Sequence, residues 1–112
     1  MNLIIKFTAV AIEKNKNQSD LEYKILKNIE ANPTLTQRQL AKELGVSLGK
    51  VNYIIGALLD IGWVKIDNFR KSDNKIGYLY LLTPEGIAQK AIITQQFLQR
   101  KIEEYDNLKK EI

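Results

Sequence analysis

A pair of short amphipathic segments, separated by one turn around Gly45, constrains this fold more than any other feature of the sequence. Thr36-Gln37-Arg38-Gln39 has the spacing of a capping box, in which the first residue caps a helix and the fourth bonds back to it. Gly45 stands where a helix ends in the left-handed conformation, and Ser47 follows as a new cap. The helix that Ser47 starts runs from about Leu48 to Ile61. Two short helices joined in this way predict a helix-turn-helix.

A further helix precedes this pair. Ser19-Asp20-Leu21-Glu22 also reads as a capping box, and Asn32-Pro33 ends the segment because a residue before proline is pushed out of the helical region. Apolar residues recur on one side of each of the three helices at helical spacing, which predicts a shared core. Those residues are Leu21, Ile25, Leu26, Ile29, Leu40, Ala41, Leu44, Val51, Ile55, Leu58 and Leu59.

After Gly62 the pattern changes to that of strands. Trp63–Ile66 and Tyr78–Leu82 are rich in strand-forming residues, and the polar segment Asp67–Gly77 between them predicts a hairpin with a long tip. We expect Trp63 to lie in the core, and Tyr78 and Tyr80 to pack on one face of their strand. The tip is too polar to be buried, which is typical of the wing that follows some helix-turn-helix pairs.

The last segment restarts a helix at Thr83-Pro84-Glu85, where threonine caps and proline takes the first helical position. A helix from there to Ile112 would be about 40 Å long. Its apolar residues fall about seven apart and exceed what a small winged body can cover, which predicts that the same helix of a second subunit covers them. The predicted dimerisation residues are Ala91, Leu98, Ile102, Tyr105 and Ile112.

The predicted fold is therefore mainly α with a small β-hairpin wing (α+β), a winged helix-turn-helix with a long C-terminal dimerisation helix. Residues 1–18 form an N-terminal arm that we expect to be poorly ordered or strand-like. Residues 19–83 form the winged helix-turn-helix, and residues 84–112 form the amphipathic dimerisation helix.

Composition narrows the function. With no Cys and no His, disulfides, thiol nucleophiles, imidazole bases and the usual zinc sites are excluded. No phosphate loop or other catalytic signature is present, so we expect no enzyme activity, cofactor or metal. The first apolar stretch is shorter than the ~20 residues that span a bilayer, and we expect no membrane association. The net charge of +4 favours a polyanionic partner.

Double-stranded DNA is the predicted partner. On the third helix, the residues off the core face include small and hydrogen-bonding side chains, and an asparagine can pair with adenine through two bonds. Helix N-termini attract phosphates, and the excess positive charge of the body lies in the wing, which can follow the backbone or enter the minor groove. The predicted DNA-binding residues are Gln37, Arg38, Ser47, Gly49, Lys50, Asn52, Tyr53, Arg70, Lys71 and Lys75.

The block from Leu35 to Tyr53 is similar to the winged helix-turn-helix of MarR-type bacterial transcriptional regulators. The continuation through Gly62-Trp63-Val64-Lys65 and Tyr78–Gly86 resembles the small MarR-like regulators associated with exopolysaccharide gene clusters. The resemblance implies a cytoplasmic, dimeric repressor or activator that contacts DNA through the third helix and the wing. It leaves a small-molecule effector open, because a single C-terminal helix here replaces the larger helical part of typical members.

Two other functions remain as alternatives. A winged helix can serve as a protein–protein adaptor without specific DNA binding, and the long amphipathic helix fits that role. Binding of RNA or single strands would need exposed aromatic platforms, and most aromatic residues of this chain are expected inside.

Overall fold

The structure, a computed structural model, describes residues 16–70 and 76–112. The predictions for residues 1–15 and for the hairpin tip at 71–75 lie outside these residues. In the described part the chain forms helices α1, α2 and α3, strands β1 and β2, and helix α4. Their bounds are Lys16–Ala31, Gln37–Leu44, Leu48–Ile61, Val64–Arg70, Ile76–Leu82 and Pro84–Glu111. The predicted winged helix-turn-helix with a long C-terminal helix is confirmed.

Helix α1 begins earlier than its sequence pattern predicted. It starts at Lys16, so Ser19 lies within the helix and the predicted cap at Ser19 is wrong. Three residues compatible with a helix precede Ser19, and a capping pattern does not prevent a helix from extending past it. The other end is as predicted: the amide of Asn32 closes the last turn on the carbonyl of Asn28 at 2.9 Å.

The predicted caps of α2 and α3 are confirmed. Thr36 accepts from the amide of Gln39 at 3.1 Å, and the Gln39 side chain accepts from the amide of Thr36 at 2.9 Å. Ser47 accepts from the amide of Lys50 at 3.1 Å. Gly45 lies between the helices at φ 67°, a conformation that side chains rarely adopt. Local bonds within a few residues therefore set the ends of both helices.

The core lies where α1, α2 and α3 meet the base of the hairpin. Ile25, Leu26, Ile29 and Leu40 are almost fully buried, as their periodicity predicted. On α3 the buried face includes Ile54, which sequence analysis did not assign, while Leu59 is only partly buried. The other buried apolar residues are Leu21, Leu35, Ala41, Val51, Ile55, Leu58, Trp63, Val64 and Tyr80.

The hairpin strands are longer than predicted. Their antiparallel pairing runs from Val64 opposite Leu82 to Arg70 opposite Ile76, so four residues assigned to the polar tip belong to β1. Backbone pairing needs no apolar side chains, and a polar segment can extend a ladder that lies in solvent. Tyr80 packs in the core as expected, but Tyr78 is 64% exposed, so its predicted packing is wrong.

The start of α4 is fastened to the end of α3. Thr83 donates its hydroxyl proton to the carbonyl of Gly62 at 2.6 Å and accepts from the amide of Gly86 at 3.0 Å. The Thr83 amide bonds to the carbonyl of Trp63 at 3.0 Å. Gly86 is buried against the Trp63 backbone, and a Cβ at this position would overlap the Trp63 carbonyl oxygen. The direction in which α4 leaves the body is thus set at this junction.

Helix α4 then runs along α1. The rings of Tyr23 and Phe97 stack with centroids 4.4 Å apart. Ion pairs also join these helices, including Lys90 with Glu30 at 2.8 Å and Arg100 with Asp20 at 2.7 Å. These contacts hold the first half of α4 on the body, whereas every residue from Lys101 onward is exposed.

The Asp20–Arg100 pair gives a testable measure of this attachment. Both side chains are less than one-fifth exposed, and two Arg100 nitrogens donate to one Asp20 oxygen. We expect Asp20→Asn to lower the free energy of unfolding by about 1–2 kcal/mol, because it leaves a partly buried guanidinium without its carboxylate. Urea denaturation monitored by circular dichroism measures this change.

An exposed acidic residue supplies the control. Lys101 contacts Glu104 at 3.3 Å and Asp20 at 3.4 Å. The hydrogen bond to Glu104, followed by the contacts with Asp20, holds the pKa of Lys101 above its ordinary value although burial opposes it. Exposed pairs contribute little to stability. Glu104→Gln should therefore leave the urea midpoint unchanged, and equal losses in the two variants would contradict a specific role for Asp20.

Candidate nucleic-acid interface

The polar side of α3 faces solvent. Gly49, Asn52 and Tyr53 are exposed, with Tyr53 at 56%, whereas Lys50, Gly56 and Ala57 are half-buried. The opposite face, with Val51 at its N-terminal end, carries the core. No other described part of the chain covers the exposed face. The side of α3 that sequence analysis predicted to contact DNA is therefore accessible in a single subunit.

Three polar side chains from separate elements form a chain of hydrogen bonds beside this face. Asn52 on α3 donates from Nδ2 to Oε1 of Gln37, the first residue of α2, at 3.1 Å. Gln37 donates from Nε2 to the hydroxyl of Tyr80 on β2 at 3.0 Å. The structure thus brings two predicted DNA-binding residues, Gln37 and Asn52, into direct contact, and it links Gln37 to Tyr80, a residue that was expected only to pack. A buried tyrosine usually needs a hydrogen-bond partner for its hydroxyl. The expected burial of Tyr80 was therefore the one feature of the sequence that indicated its part in this chain of hydrogen bonds.

The N-terminal ends of α2 and α3 lie beside the same surface. Arg38 and Ser47 are exposed, and the Ser47 hydroxyl caps α3 as predicted. The positive end of a helix dipole and the amides of its first turn favour an anion such as a phosphate. These positions could contact the phosphates of a nucleic-acid strand while α3 lies in the groove beside it.

The hairpin contributes one described basic residue among those predicted to bind DNA. Arg70 is exposed at the last residue of β1, opposite Ile76. Lys71 and Lys75 lie outside the described residues. Lys65, which sequence analysis did not assign to the interface, is also exposed on β1.

The predicted dimerisation residues form one exposed stripe on α4. Leu98 is 57% exposed, and Ile102, Tyr105 and Ile112 are also exposed, as is the smaller Ala91. Ile87 and Leu108 extend the stripe, because they lie four residues before Ala91 and three after Tyr105. Ile87 and Leu108 do not fall on the seven-residue spacing used in sequence analysis. They lie on the same side of α4 because a single helix has a period of 3.6 residues. We refer to these seven residues as the α4 stripe.

The structure adds two general observations on the described residues. No group of three or more acidic side chains is placed to hold a metal ion within 16–70 and 76–112. No single helix there is long and apolar enough to cross a membrane, although α2 and α3, bent by 117° from one another, have the necessary length and composition as a pair.

Comparison with known families gives one match, to the family described as winged helix-turn-helix DNA-binding, over residues 18–65. This segment contains α2, α3 and nearly all of α1, and it ends at the start of β1. No curated protein matches the chain. The chain is therefore similar to this family over a segment that is less than half of its length.

Solved structures extend the likeness to the whole fold. A Streptococcus transcriptional regulator is 20% identical with a TM-score of 0.65, covering 80% of this chain and 94% of its own. A MarR protein from Peptoclostridium difficile is 20% identical with a TM-score of 0.64, covering 92% of this chain and 62% of its own. FabT of Streptococcus pneumoniae, solved with DNA, is 21% identical with a TM-score of 0.52, covering 95% and 78%. At these identities the three neighbours, one of which is a MarR protein, establish the fold of the chain.

Proposed function

We propose that this protein is a sequence-specific, double-stranded DNA-binding transcriptional regulator of the MarR type. Residues 19–83 form its DNA-binding domain and residues 84–112 its dimerisation helix. The observation that carries the proposal is the exposed polar side of α3, behind a turn whose two helices are both capped. The family description of residues 18–65 and the DNA complex of one structural neighbour support it.

The surface around α3 suits the major groove, which is about 12 Å wide and admits one helix. Gly49 lets the backbone approach closely, since nothing lies within 4 Å of its missing Cβ. Lys50 and Asn52 supply groups for base edges or phosphates, and Tyr53 can reach a phosphate or a thymine methyl. Gln37, Arg38 and Ser47 would contact the backbone, and Arg70, Lys71 and Lys75 of the hairpin would lie along it or in the minor groove.

A second copy of the chain completes the proposed regulator. The α4 stripe leaves apolar side chains in water along a helix of 28 residues. The same stripe on a symmetry-related subunit would bury it in a self-complementary contact. Two DNA-binding domains would then reach half-sites on the same side of the duplex, about 34 Å apart.

The gene target and the cellular setting are narrower proposals. Regulation of exopolysaccharide genes, in the cytoplasm of a bacterium, is supported only by the resemblance of the α3–hairpin–α4 sequence to regulators of that group. Determining the selected operator and then locating it beside genes of the source genome would test this target.

Salt-dependent binding to a selected duplex is the first test. Selection from random duplex DNA should yield an inverted repeat with half-sites about one turn apart. With six or more phosphate contacts, affinity should fall by roughly 10³-fold or more between 50 and 200 mM salt, because bound counterions are released. Fluorescence anisotropy at several salt concentrations measures this slope.

Variants of α3 separate this function from an adaptor. Lys50→Ala combined with Asn52→Ala should abolish the preference for the selected site, while Lys24→Ala on the exposed side of α1 should leave it unchanged. If the double variant retains the wild-type preference, or if binding does not depend on salt, the regulator proposal fails and the protein–protein adaptor becomes the better explanation.

A further inference from the structure

Tyr80 is held in place from two directions. Its side chain is 8% exposed within the core, and its backbone amide donates to the carbonyl of Pro33 in the α1–α2 turn at 3.1 Å. This bond leaves the outer edge of β2 and ties the hairpin to the helices. The position of the Tyr80 hydroxyl is therefore fixed at the base of the hairpin.

Gln37 links the Tyr80 hydroxyl to α3 by hydrogen bonds on both sides of its amide group. Its Nε2 donates to the Tyr80 hydroxyl at 3.0 Å, forty-three residues away in sequence. A tyrosine hydroxyl can donate or accept, and here it accepts from Nε2 of Gln37, so the amide oxygen of Gln37 lies on the side away from Tyr80. The Gln37 Oε1 is thereby directed at Asn52, whose Nδ2 donates to it at 3.1 Å.

The result is a defined orientation for the Asn52 amide. An amide nitrogen has two hydrogens, and the bond to Gln37 uses one of them. The second hydrogen and Oδ1 form the pair that matches N7 and the N6 amino group of adenine in the major groove. A flipped amide would present donor and acceptor in the opposite order.

We propose that Tyr80, acting through Gln37, is a positioning residue that orients Asn52 to read adenine. This inference rests on the proposed function and adds to it the base that one position of α3 recognises. A side chain already held in its bound orientation loses less conformational freedom on binding, so the relay strengthens discrimination without contacting DNA itself. It also makes base reading depend on where the hairpin packs.

Base preference at each position of the selected site tests the relay. Asn52→Ala should abolish the adenine preference at one position of each half-site. Tyr80→Phe should lower the preference at that same position by about 2- to 12-fold, the effect of one hydrogen bond, and leave the other positions unchanged. Gln37→Met, which removes both bonds at similar length, should lower the same preference and, because Gln37 is also proposed to contact the DNA backbone, should weaken binding to all sequences equally. Neither variant should have a further effect at that position once Asn52 is alanine.

Tyr78→Phe is the matched control, because it removes an exposed hydroxyl two residues away on the same strand. It should leave every preference unchanged. The proposal is overturned if Tyr80→Phe leaves the adenine preference intact, or if it weakens all positions equally, as general damage to the fold would.

A measurement without DNA distinguishes failure of the relay from failure of the proposed function. The side-chain amide NMR signals of Gln37 and Asn52 in the full chain should shift in Tyr80→Phe and not in Tyr78→Phe. Unshifted signals would overturn the relay even if the protein binds DNA. If the signals shift in Tyr80→Phe as expected but the wild-type protein shows no base preference, the proposed function is overturned, and with it the role of the relay in base reading.

Discussion

Leu98→Glu is expected to convert the protein from a dimer to a monomer and to weaken binding to a two-half-site operator by at least about 100-fold. Leu98 lies in the middle of the α4 stripe and is 57% exposed in one subunit. In the proposed dimer, two symmetry-related glutamates would face one another in an apolar contact, at a high desolvation cost. The affinity loss follows because linking two DNA-binding domains raises apparent affinity by roughly 10²–10⁴-fold.

Gln96→Glu is the matched control for this change. Gln96 is exposed on the same helix, away from the α4 stripe, and its substitution introduces the same charge. Light scattering at equal protein concentration should give a monomer for Leu98→Glu and the wild-type mass for Gln96→Glu. A wild-type protein that is monomeric at high micromolar concentration would refute the dimer, and a dimeric Leu98→Glu would place the interface elsewhere.

Gly86→Ala is expected to lower the free energy of unfolding by about 2–3 kcal/mol, which corresponds to a fall in Tm on the order of 10 °C. The added Cβ would lie 2.8 Å from the carbonyl carbon of Trp63, and closer still to its oxygen. These are backbone atoms, and that oxygen also accepts from the amide of Thr83, so they cannot turn aside as a side chain could. The overlap can be relieved only if α4 shifts away from the rest of the domain.

Gly56→Ala is the opposite case and serves as its control. Gly56 lies inside α3, and nothing lies within 4 Å of the position of its Cβ. Alanine is favoured over glycine within a helix by about 1 kcal/mol, so this variant should be as stable as the wild type or more stable. Calorimetry at one protein concentration measures both. A Gly86→Ala protein as stable as Gly56→Ala would show that the junction is not tightly packed.

The candidate site was only partly accessible to sequence analysis. The exposed positions Gly49, Asn52 and Tyr53 follow from the 3.6-residue period, since they are the residues left over when the core face of α3 is assigned. Their mutual arrangement does not follow from it. Asn52 and Gln37 lie fifteen residues apart on different helices, and only the angle between α2 and α3 brings their amides to 3.1 Å.

The sequence alone determined the local features: the caps at Thr36, Ser47 and Thr83, the left-handed turn at Gly45, and most of the core. Each depends on atoms a few residues apart, so the residue types are sufficient to predict it. The tertiary structure alone decided the Tyr80–Gln37–Asn52 relay, the Gly86 contact with Trp63 and the Asp20–Arg100 pair, whose members lie eighty residues apart. These contacts depend on how whole elements pack, and no local pattern specifies which distant polar group will complete a given hydrogen bond.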